Sequence, residues 1–357
     1  MGGVTLHPRL PDGTDPLGDP LHALGGTRRA YVVPQLKILY ISVAKNACTT
    51  IKWLVSELAG EDPRQFRPGA GPFVSREEGI HVRARWKHTP MLNQLPAGVR
   101  AGISPDNGWF VFGVVRDPRP RLFSAWQNKF LMRNPAYSRW RDESWYPRVP
   151  RSAQEVVEDF ATFVDLMHTH PDAPVLNDAH FQPQVPYLAE QVVPYSAIYE
   201  IGELGSMRAD LEAHVRVQGW TGEVRLGRSN DTPLRATADV FAAPVRERIE
   251  AYFHEDFERF GDLWDASKLE SAPPWSGEVM TALRAQIALS ERIDELTALV
   301  KRARASGATK QSARVDHLVR ELEQTRAENQ ALRLRLDPAW KRAARPVVRR
   351  VRSRLHR

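Results

Sequence analysis

One cysteine, Cys48, is all the chain carries in 357 residues, which excludes a disulfide framework and a cysteine-rich zinc site. Long apolar runs are missing too: none approaches the roughly 20 residues a helix needs to cross a bilayer. The opening MGGVTLHPRLPDGTDPLGDPLHALGGTRRA has no apolar core of the kind a secretory signal requires. Acidic residues are absent from the last 20 positions, where Lys341, Arg342, Arg345, Arg349, Arg350, Arg352, Arg354 and Arg357 stand. The net charge of +7 therefore belongs to a tail, because the other 337 residues hold 42 basic and 43 acidic side chains. A near-neutral body argues against nucleic acid as a partner, since nucleic-acid domains spread basic charge over a folded face. What is present, 42% apolar and 26% charged, suits one large globular domain or two modest ones.

Residues 1–28 are rich in Gly, Pro and Asp and lack periodicity, the pattern of a disordered arm. Strand signals follow at Leu36 to Val43, Trp109 to Val115 and Ala197 to Ile201. Between and after them the spacing predicts helices over TTIKWLVSELAG, RLFSAWQNKFLM, 153–169, Leu204 to Val217 and Ala238 to Phe260. Thr49 or Thr50 can cap the first and Gly60 can end it. Strands alternating with helices indicate an α/β domain with a mainly parallel sheet. After Trp275 the pattern becomes heptad-like: Val279, Ala282, Gln286, Leu289, Ile293, Leu296, Val300 and Ala303, then Val315, Leu318, Leu322, Thr325, Asn329, Leu332 and Leu336. Gly307 marks the break, either a discontinuity in one long helix or the turn of a hairpin. A coiled coil is the expectation, the alternative being two surface helices packed on the body. Asn329 at a seam position favours a defined register, often a dimer.

Two strand–loop–helix junctions carry chemistry. In ILYISVAKNACTTIK a strand feeds a short turn that opens a helix. Unpaired backbone N–H groups and the helix dipole favour an anion there, Lys45 adds a cation, and Thr49 and Thr50 add hydroxyls. The loop has no glycine and does not match G-x-x-x-x-G-K-[ST], which disfavours a kinase or ATPase of that type. Read without its neighbours, it is equally an ordinary βα turn with a capping threonine. In FVFGVVRDPRPRLFSAWQNKF, Arg116 leaves a strand and Ser124 follows on the next helix, a fork and a hydroxyl suited to a second anion. The alternative there is a surface turn with solvated arginines. Two such junctions about 70 residues apart suggest a nucleotide with two phosphate-bearing ends.

These segments resemble the sulfotransferase family, specifically its carbohydrate branch of Golgi-type, chondroitin- and HNK-1-like enzymes. VAKNACTTIKWL is similar to the 5′-phosphosulfate loop P-K-x-A-C-T-x-x-K, and VVRDPRPRLFSAWQNKF to the 3′-phosphate motif. HFQPQ (His180 to Gln184), IYEIGEL, GRSNDT and YFHEDFERFG resemble further family segments in the expected order. The resemblance implies a P-loop-like, three-layer fold with a central, mainly parallel sheet over 29–268, followed by coiled-coil helices over 269–337 and a basic tail over 338–357. It implies 3′-phosphoadenosine-5′-phosphosulfate as donor and no metal. Lys45, Asn46, Ala47, Cys48, Thr49 and Thr50 would then hold the 5′ end, with Lys45 catalytic, and Arg116 and Ser124 the 3′-phosphate. Tyr199 would contact adenine, and Arg228 and Ser229 would close over the nucleotide. For the base, His88 in RARWKHTPM is favoured over His180, with Glu78 as a third choice; histidine suits the role because its pKa lies near neutrality. Two departures stand out. Ala44 replaces the usual proline before the lysine, and the membrane anchor and lumenal cysteines of the animal enzymes are missing, which suggests a cytoplasmic, bacterial relative.

The acceptor expected from the resemblance is a glycan or glycolipid hydroxyl. The stretch Tyr137 to Tyr146 is either a sugar-stacking groove or a packed loop. The tail interleaves Val347, Val348, Val351 and Leu355 with its charges, so an anionic membrane surface, on the inner face of the cell membrane, is a second expected partner. A homodimer through the coiled coil is a third. The competing function is a membrane-associated scaffold whose α/β body is a degenerate nucleotide module; intact Lys45, Thr49, Thr50, Arg116 and Ser124 disfavour it.

Overall fold

β-branched and aromatic runs with no polar interruption are what a sheet buried on both faces requires, and Phe110–Val115 is such a run. In a computed structural model that describes residues 21, 29–66, 79–227, 233–266, 269, 272–305 and 314–332, the chain forms β1 (Ala30–Val33), β2 (Ile38–Ile41), α1 (Cys48–Leu58), β3 (Phe110–Val115), α2 (Pro118–Trp126), α3 (Ala153–Thr169), β4 (Ala197–Glu200), α4 (Leu204–Val217), α5 (Ala243–Tyr252), α6 (His254–Phe260), α7 (Gly277–Ala305) and α8 (314–332). The sheet order is β1-β2-β3-β4, with β1 antiparallel to β2 and the other pairs parallel. The carboxyl ends of β2, β3 and β4 thus share one edge, where α/β sheets bind ligands.

Chain contacts divide the molecule into two units: Met1–Arg121, Pro174–Asn230 and Phe253–Leu269 form the first, and Leu122–Ala173, Asp231–Tyr252 and Glu270–Arg357 the second. The first holds the sheet between two layers. On one face Tyr40, Phe112 and Val114 pack with Ile51, Leu54, Val55 and Leu58 of α1 and Met207, Leu211 and Val215 of α4. The i, i+3, i+4, i+7 spacing of the α1 residues makes this stripe. On the other face Leu39 and Val111 meet Leu92, Leu95 and Val193, while Val43 and Val115 meet Leu188, Phe260 and Trp264.

α1 starts differently from expectation. Its N-cap is Ala47 in the left-handed region with no side-chain cap, and helix begins at Cys48, so Thr49 and Thr50 lie inside the first turn. Gly60, at φ 73°, follows the helix as expected. The single helix expected from Ala238 to Phe260 is three pieces: a 3-10 turn Ala238–Phe241, then α5 and α6. Periodicity carries across the breaks because Val240, Ile249 and Phe253 are all buried.

The second unit is helical. Ser152 caps α3 by accepting from the Glu155 N–H at 3.2 Å, and Phe160 of α3 packs on Phe123 and Trp126 at ring distances of 5.0 and 5.4 Å. The aromatic stretch beyond α2 is a packed loop: Tyr137, Trp145 and Tyr146 surround Phe130 at 5.6, 5.1 and 5.8 Å. α7 and α8 form a hairpin, since Asn329 Nδ2 donates to Ser290 Oγ at 3.2 Å and Arg292 pairs with Glu321 at 2.6 Å. The α8 seam is as expected, with Leu322, Thr325 and Asn329 buried. The α7 stripe is broader and centred about one residue further round, on Leu283, Ile287 and Ser290 as well as Gln286, Leu296 and Val300. A heptad seam meets one partner, whereas α7 also pairs with Arg133 and Arg141 through Glu291 and Asp294.

Candidate active site

The β2–α1 loop, Ala44 to Ala47, follows β2 at the ligand-binding edge of the sheet. Lys45 and Ala47 are left-handed, at φ 69° and 55°. A non-glycine residue holds that conformation only where its surroundings enforce it, at about 1–2 kcal/mol each. The enforcement is visible. Asn46, fully buried, donates through Nδ2 to the Val114 carbonyl at 2.8 Å and to Gln184 Oε1 at 2.6 Å. Arg116 Nη1 donates to the Lys45 carbonyl at 3.2 Å and Arg121 Nε to the Ala44 carbonyl at 3.1 Å. Arginine bonds thus fix the turn at Ala44, the position where the resemblance expects proline.

The RDPRPR run sorts its charges. Arg119 forks onto Asp117 at 2.7–3.1 Å, while Arg121, fully buried, also donates to the Gln182 and Ala179 carbonyls at 2.9 and 3.3 Å. Arg116 has no ion pair with a carboxylate among the described residues. Burial is the main cause that brings its pKa down to about 10, the neighbouring Arg121 adds to this, and Asp117 and Glu200 oppose it. A guanidinium whose charge is disfavoured by desolvation and a second arginine is a place where an arriving anion is stabilised. Ser124, buried, lies two turns further along α2.

The histidines fall in three places. His88 is exposed, and its backbone N–H donates to Glu61 Oε1 at 2.8 Å. Glu61 lies just past the C-terminal end of α1, so about 16 Å of helix separates it from the Lys45 loop. His180 carries Asp178 on Nδ1 at 2.5 Å, in the segment that Arg121 ties to Ala44. His81 lies against the first turns of α1, with Nε2 and Nδ1 2.9 and 3.0 Å from Thr49 Oγ1 and Lys52 Nζ. Tyr199 packs in the core and donates to Asp210 Oδ2 at 2.8 Å; burial, then Asp210, push its phenol well above the ordinary range. Cys48 is half-buried at the first position of α1. Arg228, Ser229 and Glu78 lie outside the described residues. Among the described residues no three His, Cys, Asp or Glu gather as metal ligands would.

Sequence reasoning missed Arg121, Gln184, Asp256, Lys52 and His81 as site residues. The first four sit inside segments that carry the family resemblance, but a motif does not show which polar residue turns inward. His81 had no signal beyond opening the basic segment HVRARWKH.

A mainly parallel α/β sheet carries a lysine loop at its ligand edge and a half-buried arginine at the next strand end, groups of the kind that can hold an anion. Residues 28–261 match the model of the sulfotransferase family, and the chain belongs to that family. No curated protein and no solved structure matches it.

Proposed function

We propose that this sulfotransferase moves a sulfuryl group from 3′-phosphoadenosine-5′-phosphosulfate to a hydroxyl of a carbohydrate or glycolipid. The observation that carries the reading is the pair of arginine hydrogen bonds that fix the Lys45 loop, one of them from Arg116, which forms no ion pair with a carboxylate among the described residues. In this reading the acceptor oxygen forms a bond to sulfur as the bridging S–O bond breaks, and the bisphosphate nucleotide leaves. Lys45 and the amides opening α1 stabilise charge growing on the leaving oxygen. Arg116 takes the 3′-phosphate through its planar fork, with Ser124 on the following helix as the second donor. The acceptor proton goes to a histidine. His180 is favoured over His88 by its geometry: Asp178 orients the ring and stabilises its protonated form, and Arg121 ties its segment to the Lys45 loop.

The test is transfer of labelled sulfate to a panel of glycolipids and polysaccharides. Lys45→Ala should lower turnover by about a hundredfold or more. His180→Ala should lose turnover while still binding 3′-phosphoadenosine 5′-phosphate. Near-normal turnover in His180→Ala, His88→Ala and His81→Ala alike would remove histidine as the base. Absence of both transfer and nucleotide binding in the unaltered protein would remove the donor.

A further inference from the structure

Gln184 is fully buried, and all four hydrogen-bonding positions of its side chain are used. Its Oε1 accepts from Asn46 Nδ2 at 2.6 Å and from the Arg116 N–H at 3.0 Å. Its Nε2 donates to the Arg116 carbonyl at 2.8 Å and to Asp256 Oδ2 at 3.0 Å. Because Arg116 presents one backbone donor and one backbone acceptor, the amide fits in a single orientation. Asp256 Oδ1 accepts in turn from the N–H groups of Gln184 and Val185 at 2.6 and 3.0 Å.

Asn46, Gln184 and Asp256 are each fully buried. A buried carboxylate held by amides is often replaceable by apolar groups without loss of stability, so stability is a poor explanation of the network. What it fixes is more telling. One branch ends on Asn46 at the centre of the Lys45 loop, and the other ends on both sides of the Arg116 peptide. These are the two arms assigned above to the 5′ and 3′ ends of the donor. The carboxylate comes from α6, 140 residues after Arg116 in the chain.

We propose that Asp256, acting through Gln184, is a positioning residue that sets the spacing of the two anion-binding arms, and with it the preference for a nucleotide charged at both its 3′ and 5′ ends. This rests on the donor reading above. Replacing Asp256 by asparagine puts an N–H2 against a donor: either against Gln184 Nε2 or against the two backbone N–H groups. Gln184 is pinned by Arg116 and has no second orientation to offer, so the strain passes into the arms.

The experiment is titration calorimetry of the full chain with 3′-phosphoadenosine 5′-phosphate and with adenosine 5′-phosphate, for the unaltered protein, Asp256→Asn and Gln184→Met, with thermal melting of each. The expected result is that a folded variant binds the bisphosphate about tenfold or more weakly while its affinity for the monophosphate stays within about threefold, so the ratio collapses. A ratio that stays within about threefold of the unaltered protein's overturns the proposal, and so does equal loss of both ligands. If both variants unfold, the network's role is stability and the proposal falls. If the unaltered protein binds neither ligand, it is the donor reading that fails.

Discussion

Arg116 concentrates the argument at the residue scale. Its lowered pKa, about 10, belongs to a cation, so the sign is plain: below pH 10 the folded state carries a charge that burial and Arg121 disfavour, and this cost is present throughout the neutral range. A bound anion removes it. Arg116→Met relieves that cost but also removes the bond that holds the Lys45 carbonyl, so it should change the stability of the unliganded protein by no more than about 1 kcal/mol while weakening nucleotide binding by about a hundredfold or more. Chemical denaturation with and without the nucleotide checks both halves; a clear loss of unliganded stability would show that Arg116 is structural. The residue scale is also where the sequence was least legible. Lys45 and Arg116 follow strand ends, where position alone marks them as candidates. Asp256 and Gln184 look like the polar face of a surface helix and a loop glutamine, because the partners that bury them lie some 70 residues away in sequence.

At the element scale, local pattern predicted well wherever one face decides. β3, α1, α3 and α4 follow the expected strand and helix positions because each has one uninterrupted apolar run or stripe. The break at Phe253, the Ala47 cap and the α7 stripe were not legible, since each answers to a second neighbour. The α7–α8 hairpin brings the two expected seams together within one chain. Its polar layer is incompletely satisfied: Gln286 is 1% exposed with neither amide atom hydrogen-bonded, and Asn329 Oδ1 has no partner. Gln286→Met, close in volume, should raise stability by about 1–3 kcal/mol in urea titration, because an unpaired buried amide is removed. A fall in stability would mean that the amide is paired.

Across the whole molecule the charge separates from the chemistry. The basic tail lies outside the described residues, and no helix among them is long and apolar enough to cross a membrane. The family match, residues 28–261, excludes both hairpin helices and the tail, where the sequence concentrates its excess of positive charge. The positive groups of the proposed site are Lys45, Arg116 and Arg121, which hydrogen bonds gather at the end of a sheet whose strand order the alternating pattern implied but did not specify. The two strand–loop–helix junctions were legible in the sequence; that they are tied to each other through Gln184 was not. The most direct test of the account is titration calorimetry of the full chain with 3′-phosphoadenosine 5′-phosphate, with ATP as control. The account predicts saturable one-to-one binding, weaker by about a hundredfold in Arg116→Ala, and much weaker binding of ATP. No binding of the bisphosphate, or equal binding of ATP, would contradict it.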